Sequence, residues 1–369
     1  MEFLDLKTQQ KRIRKSLEKR INKILDHGAY IMGPEVFELE EKLADYCGVK
    51  HAISCSSGTD ALLIPLMAWG IGPGDAVFTT PFTYVATAEV ISILGATPVF
   101  VDVYESTFNI DCEKLEAEII KVIDEGKLKP KAIIPVDLFG LPARYRLIDK
   151  IAKKYNLKVI EDAAQSFGGS IRDKKVGTFG DIAATSFYPA KPLGCYGDGG
   201  AIFTNDDSLA EECKAIRIHG TKTDRYNSER IGLNGRFDSI QAAVVLEKLT
   251  IFDEEHERRN IIDANYREYL NNAQYHPEGY QSAHALFSIV LSSKHKRNEL
   301  IERLNSNNIP SVIYYKKPIH LMKAFHYLNY HKGSLPISES LSNSIVSLPM
   351  HPYLSKTDVS LIIETIQRK

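Results

Sequence analysis

Several features that would place a protein in a specialised class are scarce or absent in this sequence. Its five cysteines are scattered and form no C-x-x-C pair, so the sequence predicts neither a disulfide framework nor a zinc site. The 46 basic and 47 acidic residues leave a formal net charge of -1, which indicates neither nucleic acid nor a membrane surface as a partner. Unpaired cysteines fit the reducing cytoplasm, where we expect the protein to act.

Long apolar segments are also absent. No uninterrupted apolar run approaches the length of a membrane span, and the first residues, Met1 to Asp5, lack the basic-then-apolar order of a signal peptide. The sequence contains neither an internal repeat nor a low-complexity segment. Its 369 residues exceed the usual size of one hydrophobic core, so we expect two domains.

The first half of the chain alternates short apolar runs with helical patterns. The pattern predicts strands at 52–55, 76–79, 97–101, 131–135 and 159–162, and helices between them at 62–69, 85–94, 111–123 and 143–155. This alternation predicts an α/β fold with a mostly parallel sheet and helices on both faces. Ligands of such sheets bind outside the carboxyl ends of the strands. The polar residues near those ends are Ser57, Thr59, Tyr84, Asp162, Gln165 and Lys191.

Helical patterns also stand on both sides of this region. Residues 7–26 and 35–46 predict two helices before the first strand, and residues 239–271 predict one long helix that links two domains. We expect a large α/β domain over residues 1–245 and a smaller α+β domain over residues 246–369. The smaller domain is predicted to hold a strand at 285–292 and helices at 297–306, 337–345 and 357–366.

One lysine stands in a loop that suits a bound ligand. Lys191 lies five residues after Ser186, behind the apolar run 182–187 and before a glycine-rich turn. Glycine lets the backbone approach a ligand closely, and desolvation lowers the pKa of a lysine towards the nucleophilic amine that a Schiff base requires. A surface lysine beside a tight turn explains this loop, taken alone, equally well.

Two other strand ends carry residues that suit a phosphate and a cationic ring. Residues 56–62 place small polar side chains between a strand and a helix, an arrangement that presents backbone N–H groups to a phosphate. A simple helix N-cap is the alternative there, and Asp162 could cap a helix as well. In a cleft opposite a lysine, Asp162 would instead keep a pyridine nitrogen protonated, because a buried carboxylate needs a cationic partner.

Five motifs follow one another in a family-specific order along almost the whole chain. They are S-G-T-D-A-L at 57–62, T-Y-V-A-T-A at 83–88, E-D-A-A-Q-S at 161–166, S-F-Y-P-A-K-P-L-G at 186–194 and N-G-R-F-D-S-I-Q-A at 234–242. In these motifs the chain resembles the DegT family of nucleotide-sugar aminotransferases. The resemblance implies the aspartate-aminotransferase fold, which is fold type I of the pyridoxal-phosphate enzymes, with pyridoxal 5'-phosphate as the cofactor.

The resemblance also implies roles for residues of these motifs. Lys191 would form the Schiff base with the cofactor, and Asp162 would pair with the pyridine nitrogen, which keeps the ring an electron sink. Because sugar dehydratases of the family carry histidine in place of this lysine, Lys191 favours transamination. The other implied cofactor-binding residues are Gln165 at the ring hydroxyl, Tyr84 on the ring face, Gly58, Thr59 and Ser186 at the phosphate, and Asn234 from a neighbouring subunit.

The implied reaction transfers the amino group of glutamate to a keto sugar linked to UDP or dTDP. The motif that begins at Asn234 resembles the branch that aminates carbon 3 more than the branch that aminates carbon 4, and the product is expected to enter a bacterial surface polysaccharide. A homodimer with shared active sites is implied, since Asn234 and Arg236 would serve the neighbouring subunit. Arg236 is also a candidate cation for a uronate carboxylate. Tyr314 and His320 either contact the sugar or only pack, and their segment departs from relatives at Ile313.

Two other classes of protein stay open as alternatives. A non-catalytic regulator of the same fold would bind the cofactor or the nucleotide sugar, but the joint presence of Lys191, Asp162 and Gln165 argues against it, because a binding protein needs no proton shuttle. A nicotinamide-dependent oxidoreductase is disfavoured because no G-x-G-x-x-G motif follows the first strand.

Overall fold

Helices and strands alternate along most of the chain. The structure, a computed structural model, describes residues 1–222, 224 and 226–368. Its α-helices are α1 (Leu6–His27), α2 (Pro34–Cys47), α3 (Gly58–Ala68), α4 (Ala86–Ile93), α5 (Cys112–Glu125), α6 (Tyr145–Tyr155), α7 (Asp207–Arg217), α8 (Ser239–Leu249), α9 (Phe252–Tyr269), α10 (Lys294–Ser306), α11 (Pro336–Ser344) and α12 (Lys356–Gln367). Its strands are β1 (His51–Cys55), β2 (Asp75–Thr79), β3 (Thr97–Phe100), β4 (Lys129–Ile134), β5 (Lys158–Asp162), β6 (Ser170–Ile171), β7 (Lys174–Lys175), β8 (Ile182–Ser186), β9 (Gly200–Thr204), β10 (Tyr280–Gln281), β11 (Phe287–Val290) and β12 (Ile345–Leu348).

Seven strands form the main sheet, in the order β1-β9-β8-β5-β4-β2-β3. The neighbours from β8 to β3 are all parallel, whereas β9 runs antiparallel to both β8 and β1. Since β1 therefore points the same way as β8, the carboxyl ends of six strands meet at one edge of the sheet. The predicted α/β fold with a mostly parallel sheet is confirmed, and this edge is where ligands of such sheets bind.

Apolar side chains of the central strands are buried on both faces of the sheet. On one face Ile160, Ile182 and Ile202 share a core with α3 and α7. On the other face Val159 packs with α5 and α6, and Ala183 packs with α1, α2 and α8. Complete burial of a side chain the size of isoleucine contributes about 1.5–3 kcal/mol. These contacts fix the strands between two helical layers and leave their carboxyl ends open for polar residues.

The prediction of one continuous helix over residues 239–271 is wrong, because the structure has two helices there. In the structure α8 ends at Leu249 and α9 begins at Phe252. Between them, the Thr250 hydroxyl donates to the carbonyl oxygen of Glu247 at 2.6 Å. Hydroxyl side chains that bond to nearby carbonyl groups compete with the regular helical pattern, which explains the break at this point.

A second core lies beyond this break. β11 and β12 pair antiparallel, and α9, α10 and α12 pack apolar side chains around them. This arrangement agrees with the predicted mix of strands and helices, although the domain boundary predicted after residue 245 falls inside α8 and stays a prediction. β12 is not among the predicted strands, and the helix predicted to end at residue 345 ends at Ser344, because periodicity does not separate a short apolar run from a helix end. β9 is also absent from the predicted strands.

The N-terminal helix α1 connects the start of the chain to α9. It begins at the cap residue Asp5, whose carboxylate accepts a hydrogen bond from the backbone N–H of Thr8 at 2.9 Å. One turn later, Gln9 Nε2 donates to Glu255 Oε2 of α9 at 2.8 Å. Within the described residues, no helix combines the length and hydropathy that a bilayer crossing requires. All five cysteines are buried with free thiols.

Candidate active site

Lys191 and Asp162 lie close together at the carboxyl ends of two adjacent parallel strands. Asp162 ends β5, and Lys191 stands in the loop that follows β8. The backbone N–H of Lys191 donates to the carbonyl oxygen of Tyr188 at 2.9 Å, which closes a tight turn in that loop. Burial lowers the pKa of the Lys191 amine, and the Asp162 carboxylate partly offsets this effect. The lysine is therefore placed in the environment that the sequence predicts for a nucleophilic amine.

The Asp162 carboxylate is buried and held by two donors. Thr87 Oγ1 donates to one of its oxygens at 2.8 Å, and the backbone N–H of Ala164 donates to the other at 3.2 Å. Burial raises the pKa of Asp162, while these hydrogen bonds and the charge of Lys191 lower it. The residues that follow form turns rather than a helix, so the alternative of a helix cap is wrong. The site contains a fixed carboxylate group, whose ionised form a neighbouring cation would favour.

Gln165 is held at both ends of its side-chain amide. Its Oε1 accepts a hydrogen bond from the backbone N–H of Phe139 at 2.8 Å, and its Nε2 lies 3.1 Å from the hydroxyl of Tyr315. Because a backbone N–H only donates, the amide orientation is fixed with Nε2 towards Tyr315. Gln165 is buried, and burial raises the pKa of the Tyr315 phenol. The amide is thus a preorganised donor at the same edge of the sheet.

The start of α3 forms a pocket of donors beside Ser186. Ser57 caps the helix by accepting the N–H of Asp60 at 3.0 Å, and the N–H groups of Gly58 and Thr59 precede the first intrahelical hydrogen bond. A Cβ atom on Gly58 would lie 2.5 Å from the Cβ of Ser186, so only glycine allows this close approach. The helix terminus and the serine hydroxyl together suit a phosphate.

Three other residues predicted from the motifs, Tyr84, Asn234 and Arg236, lie outside the buried part of the site. Tyr84 is 59% exposed in the connection between β2 and α4. Arg236 donates from Nε and Nη2 to Asn234 Oδ1, at 3.0 and 2.6 Å. The loop that carries both is tied to the start of α3, since the N–H of Ser56 donates to the carbonyl oxygen of Gly235 at 3.0 Å. The loop of Asn234 and Arg236 therefore lies beside the start of α3, and in it Asn234 is exposed and Arg236 is partly exposed.

The two residues predicted for the sugar occupy different environments. Tyr314 is partly buried beside Tyr315, with ring centroids 5.7 Å apart, and burial raises its pKa. His320 has no exposed surface, and its Nε2 lies 3.1 Å from Glu339 Oε1. For His320 this burial favours the packing alternative over contact with a ligand.

Two residues of the site were not identified from the sequence. Thr87 belongs to a quoted motif, but nothing in the sequence pairs its hydroxyl with a carboxylate 75 positions later. Tyr315 follows the predicted Tyr314, and only the fold shows that its hydroxyl is the one that meets Gln165. The available signal was position within a motif for Thr87 and adjacency to the predicted Tyr314 for Tyr315. Neither signal specifies which neighbour a side chain bonds.

Comparisons with known proteins agree with this geometry. Residues 11–367 match the DegT/DnrJ/EryC1/StrS aminotransferase family. The chain is 44% identical over 366 residues, with 98% of each chain covered, to a Pseudomonas aeruginosa protein named UDP-2-acetamido-2-deoxy-3-oxo-D-glucuronate aminotransferase. It is 40% identical over 368 residues, covering 99% of this chain and 97% of the relative, to a Geobacillus stearothermophilus protein named pleiotropic regulatory protein.

Solved structures resemble the whole chain as well. A DegT DnrJ EryC1 StrS aminotransferase from Brucella abortus is 52% identical with a TM-score of 0.97, covering 100% of this chain and 98% of that one. NtdA from Bacillus subtilis, solved with bound cofactor PMP, is 27% identical with a TM-score of 0.86, covering 96% of this chain and 81% of that one. The predicted family and fold type are confirmed: the chain belongs to the DegT/DnrJ/EryC1/StrS aminotransferase family.

Proposed function

We propose that this protein is a pyridoxal-phosphate-dependent aminotransferase that moves the amino group of glutamate to carbon 3 of a nucleotide-linked keto sugar. The observation that carries the proposal is the Lys191 amine beside the buried Asp162 carboxylate at the carboxyl edge of the sheet. Family membership supports the reaction class, and the 3-oxo sugar in the name of the Pseudomonas relative supports the carbon.

The residues around Lys191 fit pyridoxal phosphate by their own chemistry. Asp162 is a buried carboxylate, whose ionised form a protonated ring nitrogen would complement. Gly58, Thr59 and Ser186 would hold the phosphate, since they form a donor-lined cradle that a Cβ at Gly58 would fill. Tyr84 would offer an exposed ring face to the cofactor. When bound, pyridoxal phosphate supplies an electron sink for the carbon that loses its proton.

Side chains of this protein would then perform the acid–base catalysis. Lys191 would hold the cofactor through its amine and afterwards move the proton between the substrate carbon and the cofactor carbon. Its lowered pKa leaves more unprotonated amine near neutral pH than an exposed lysine has. Hydrogen bonds from Thr87 and from the Ala164 N–H lower the pKa of Asp162 and so oppose the effect of burial, which raises it. Gln165 would donate to the ring hydroxyl from an amide whose direction Phe139 fixes.

A second copy of the chain would complete each site. Asn234 is exposed, and we assign it to the phosphate of the neighbouring subunit. Exposed apolar side chains accompany this loop at Tyr30, Ile31, Ile231 and Ile240, and β-type contacts join Ile31 to residue 238. Apolar side chains grouped on a surface are typical of subunit contacts, and two-fold dimers are the commonest oligomers.

The substrate would be a UDP- or dTDP-linked sugar made for a bacterial surface polysaccharide. Arg236 would contact the sugar nucleotide of the neighbouring subunit, and its guanidinium suits a uronate carboxylate. Tyr314 lies on a segment that would line the sugar site. The exposed Lys316 and Lys317 are more consistent with a solvated surface. We expect the reaction to take place in the cytoplasm, because all five thiols are free.

Isotope transfer tests the proposal directly. The protein is supplied with pyridoxal phosphate and incubated with ¹⁵N-glutamate and each of a panel of UDP- and dTDP-linked 3-keto and 4-keto sugars. Mass spectrometry then measures the masses of the sugar products. We expect ¹⁵N in the product of a 3-keto sugar only. Transfer restricted to 4-keto sugars would overturn the carbon assignment. If none of the sugars leads to 2-oxoglutarate, the assignment of the protein as an aminotransferase is contradicted.

One relative gives a reason to keep a second candidate function. A protein that is 40% identical over nearly the whole chain is named a pleiotropic regulatory protein, so a regulator of the same fold stays the alternative. The two candidates differ in turnover. A regulator would bind pyridoxal phosphate or a nucleotide sugar without forming 2-oxoglutarate from glutamate, and replacing Lys191 would leave its sugar binding unchanged.

A further inference from the structure

Two buried carboxyl groups lie beside the segment that carries Asp162 and Gln165. Asp137 stands just after β4, and Glu161 precedes Asp162 on β5. Neither of the two side chains has any exposed surface. Acidic side chains are almost never fully buried unless they are paired, and the proposed function uses neither of them. Their hydrogen bonds indicate what they do.

Asp137 connects the end of β4 to the turn that begins at Asp162. Its backbone N–H donates to the carbonyl oxygen of Asp162 at 3.1 Å. Its carboxylate oxygen Oδ2 accepts the hydroxyl of Ser166 at 2.8 Å. Two residues further on, the N–H of Phe139 donates to Gln165 Oε1 at 2.8 Å. The two residues assigned to the pyridine nitrogen and the ring hydroxyl are therefore held by the segment that Asp137 begins.

The other oxygen of the Asp137 carboxylate is held as well. Its Oδ1 accepts hydrogen bonds from the Ala143 N–H and from the Tyr145 hydroxyl, each at 2.8 Å. Together with the Ser166 hydroxyl, these donors occupy both oxygens. A carboxylate accepts hydrogen bonds at both oxygens only while it is ionised, so this environment favours the charged form of Asp137.

Glu161 is bonded through one of its two oxygens. Its Oε2 accepts from the N–H groups of Gly177 and Phe179, at 3.0 Å each, whereas its buried Oε1 has no donor among the described residues. The Asp137 carboxyl acts on Glu161 as a like charge and as a hydrogen-bond partner, and burial together with that charge raises the pKa of Glu161. Because two ionised carboxylates lack a donor, this contact becomes a hydrogen bond only when one of them holds a proton.

The groups packed around the two carboxyls favour a single negative charge. The titratable groups that face them are all acids: Cys47 of α2, Tyr145 of α6, Asp162 of β5 and Tyr280 of β10. Burial raises the pKa of Tyr145 and of Cys47, so neither of them is charged at neutral pH. Adjacent buried carboxyls without a cation beside them do not both ionise, since each charge disfavours the other.

We propose that Asp137 and Glu161 share one proton and that Asp137 is a positioning residue for the cofactor site. Glu161 holds the proton on Oε1 and donates it to the Asp137 carboxylate, which keeps the charge that its other donors require. The hydrogen bonds from Asp137 and Phe139 then fix the turn of Asp162 and Gln165. The positioning role rests on the proposed function, because that function assigns the cofactor to this turn; the shared proton does not.

Stability measured against pH tests the shared proton without any cofactor. Unfolded carboxyl groups titrate near pH 4, and burial raises the pKa of Asp137 to about 7. Between about pH 5 and 7 the folded protein therefore holds one proton that the unfolded chain has lost. Stability should fall as the pH rises through this window, and the unfolding constant should gain about tenfold per pH unit from this proton.

Urea unfolding of the full-length protein, freed of cofactor, measures this slope in wild type, Glu161→Gln and Asp102→Asn. Glu161→Gln mimics the protonated side chain, so the tenfold contribution per pH unit should disappear. Asp102 is the matched control, because it is a buried carboxylate that accepts the Ser338 hydroxyl at 2.6 Å and its pKa is lowered. Asp102→Asn should therefore keep the wild-type slope in this window. An equal slope in wild type and Glu161→Gln would overturn the shared proton.

Cofactor affinity, measured by equilibrium dialysis, tests the positioning role. Asp137→Asn replaces an acceptor oxygen by a donor group, so one of the hydroxyls of Ser166 and Tyr145 loses its acceptor. We expect pyridoxal phosphate to bind roughly 5- to 10-fold more weakly, about the value of one hydrogen bond. Glu161→Gln and Asp102→Asn should bind it as wild type does, which a general loss of packing would not allow.

Two outcomes separate failure of this inference from failure of the proposed function. Wild-type cofactor affinity in Asp137→Asn would overturn the positioning role. If that variant does not fold, Ser166→Ala removes only the bond from the turn to Asp137 and should show a loss of the same size, and wild-type affinity there would overturn the role equally. If wild type itself binds no pyridoxal phosphate, the proposed function has failed instead, and the slope of stability against pH still decides the shared proton.

Discussion

Two parts of the candidate active site differ in how the fold holds them. Asp162 and Gln165 are buried, and each is bonded by residues far away in the sequence, including Thr87 and Tyr315. Asn234 is exposed and bonds to Arg236, two positions away. The first part is therefore complete within one chain. In the second part the two side chains bond to each other, although the backbone of their loop is tied to Ser56. An exposed side chain is what a surface requires when its partner is another subunit.

The largest effect should come from the buried part, through Lys191→Ala. General acid–base catalysis by a placed amine contributes about 10²–10⁴-fold, and this lysine is also assigned to hold the cofactor, so turnover should fall by at least about 10³-fold. The measurement is the rate of 2-oxoglutarate formation from glutamate with a saturating keto sugar. Lys23→Ala, on the exposed face of α1, is the control. Near-normal turnover in Lys191→Ala would remove the role assigned to this residue.

Asp162→Asn should have the next largest effect, because it keeps the shape of the side chain and removes its charge. The ring nitrogen would lose its anionic partner, and we expect the rate of the glutamate half-reaction to fall at least about 100-fold, the upper part of the range for a charged hydrogen bond. Stopped-flow absorbance measures this rate, and equilibrium dialysis measures cofactor affinity. An unchanged rate with weaker cofactor binding would show that the charge only anchors the cofactor.

Asn234→Ala tests the exposed part, where we expect a smaller effect. Loss of one hydrogen bond to the charged phosphate should weaken cofactor binding by about 1–3 kcal/mol. Mixed dimers sharpen the test, since a Lys191→Ala subunit and an Asn234→Ala subunit together form one site with both substitutions and one site with neither. If the sites are shared, mixing the two variants restores wild-type cofactor affinity in the intact site. Failure to restore it would place Asn234 at its own chain's site.

Thr87→Val should have the smallest effect of the four. It removes the hydroxyl that donates to Asp162 and keeps the branched shape, so we expect a loss of about 1 kcal/mol, or roughly fivefold in rate. Because this hydrogen bond lowers the pKa of Asp162, its removal should raise that pKa and move the acidic limb of the rate profile to higher pH. The pH dependence of the glutamate half-reaction measures the shift.

A conservative variant at the same position provides the control for Thr87. Thr87→Ser retains the hydroxyl and should keep both the wild-type rate and the wild-type pH profile. An equal loss in Thr87→Ser and Thr87→Val would show that packing of the methyl group, rather than the hydrogen bond to Asp162, explains the effect.

The sequence predicted the central sheet and the positions of its polar edge because both depend on local patterns. Alternating apolar runs mark β4 and β5, and a strand that ends in polar residues places Asp162 at the edge. Lys191 follows β8 in the same way. β9 was missed, since an antiparallel insertion in an otherwise parallel sheet depends on pairing with β1 and β8, which no local pattern encodes.

The pairings within the site depended on contacts that no local pattern encodes. The motif around Thr87 predicted a functional segment but not the bond from that hydroxyl to Asp162. His320 stands in a segment that resembles a sugar-binding region, yet it has no exposed surface and its ring pairs with Glu339. The carboxylate partner lies 19 positions away, so only the folded chain separates a packed histidine from a ligand-binding one.

The visible absorption spectrum of the purified protein tests the central claim most directly. The protein is supplied with pyridoxal phosphate, freed of excess cofactor, and measured before and after addition of glutamate. We predict a yellow protein whose long-wavelength band disappears with glutamate in wild type and is absent from Lys191→Ala. A colourless wild-type protein after supply of the cofactor, or a yellow one that does not respond to glutamate, would contradict an aminotransferase built on Lys191 and Asp162.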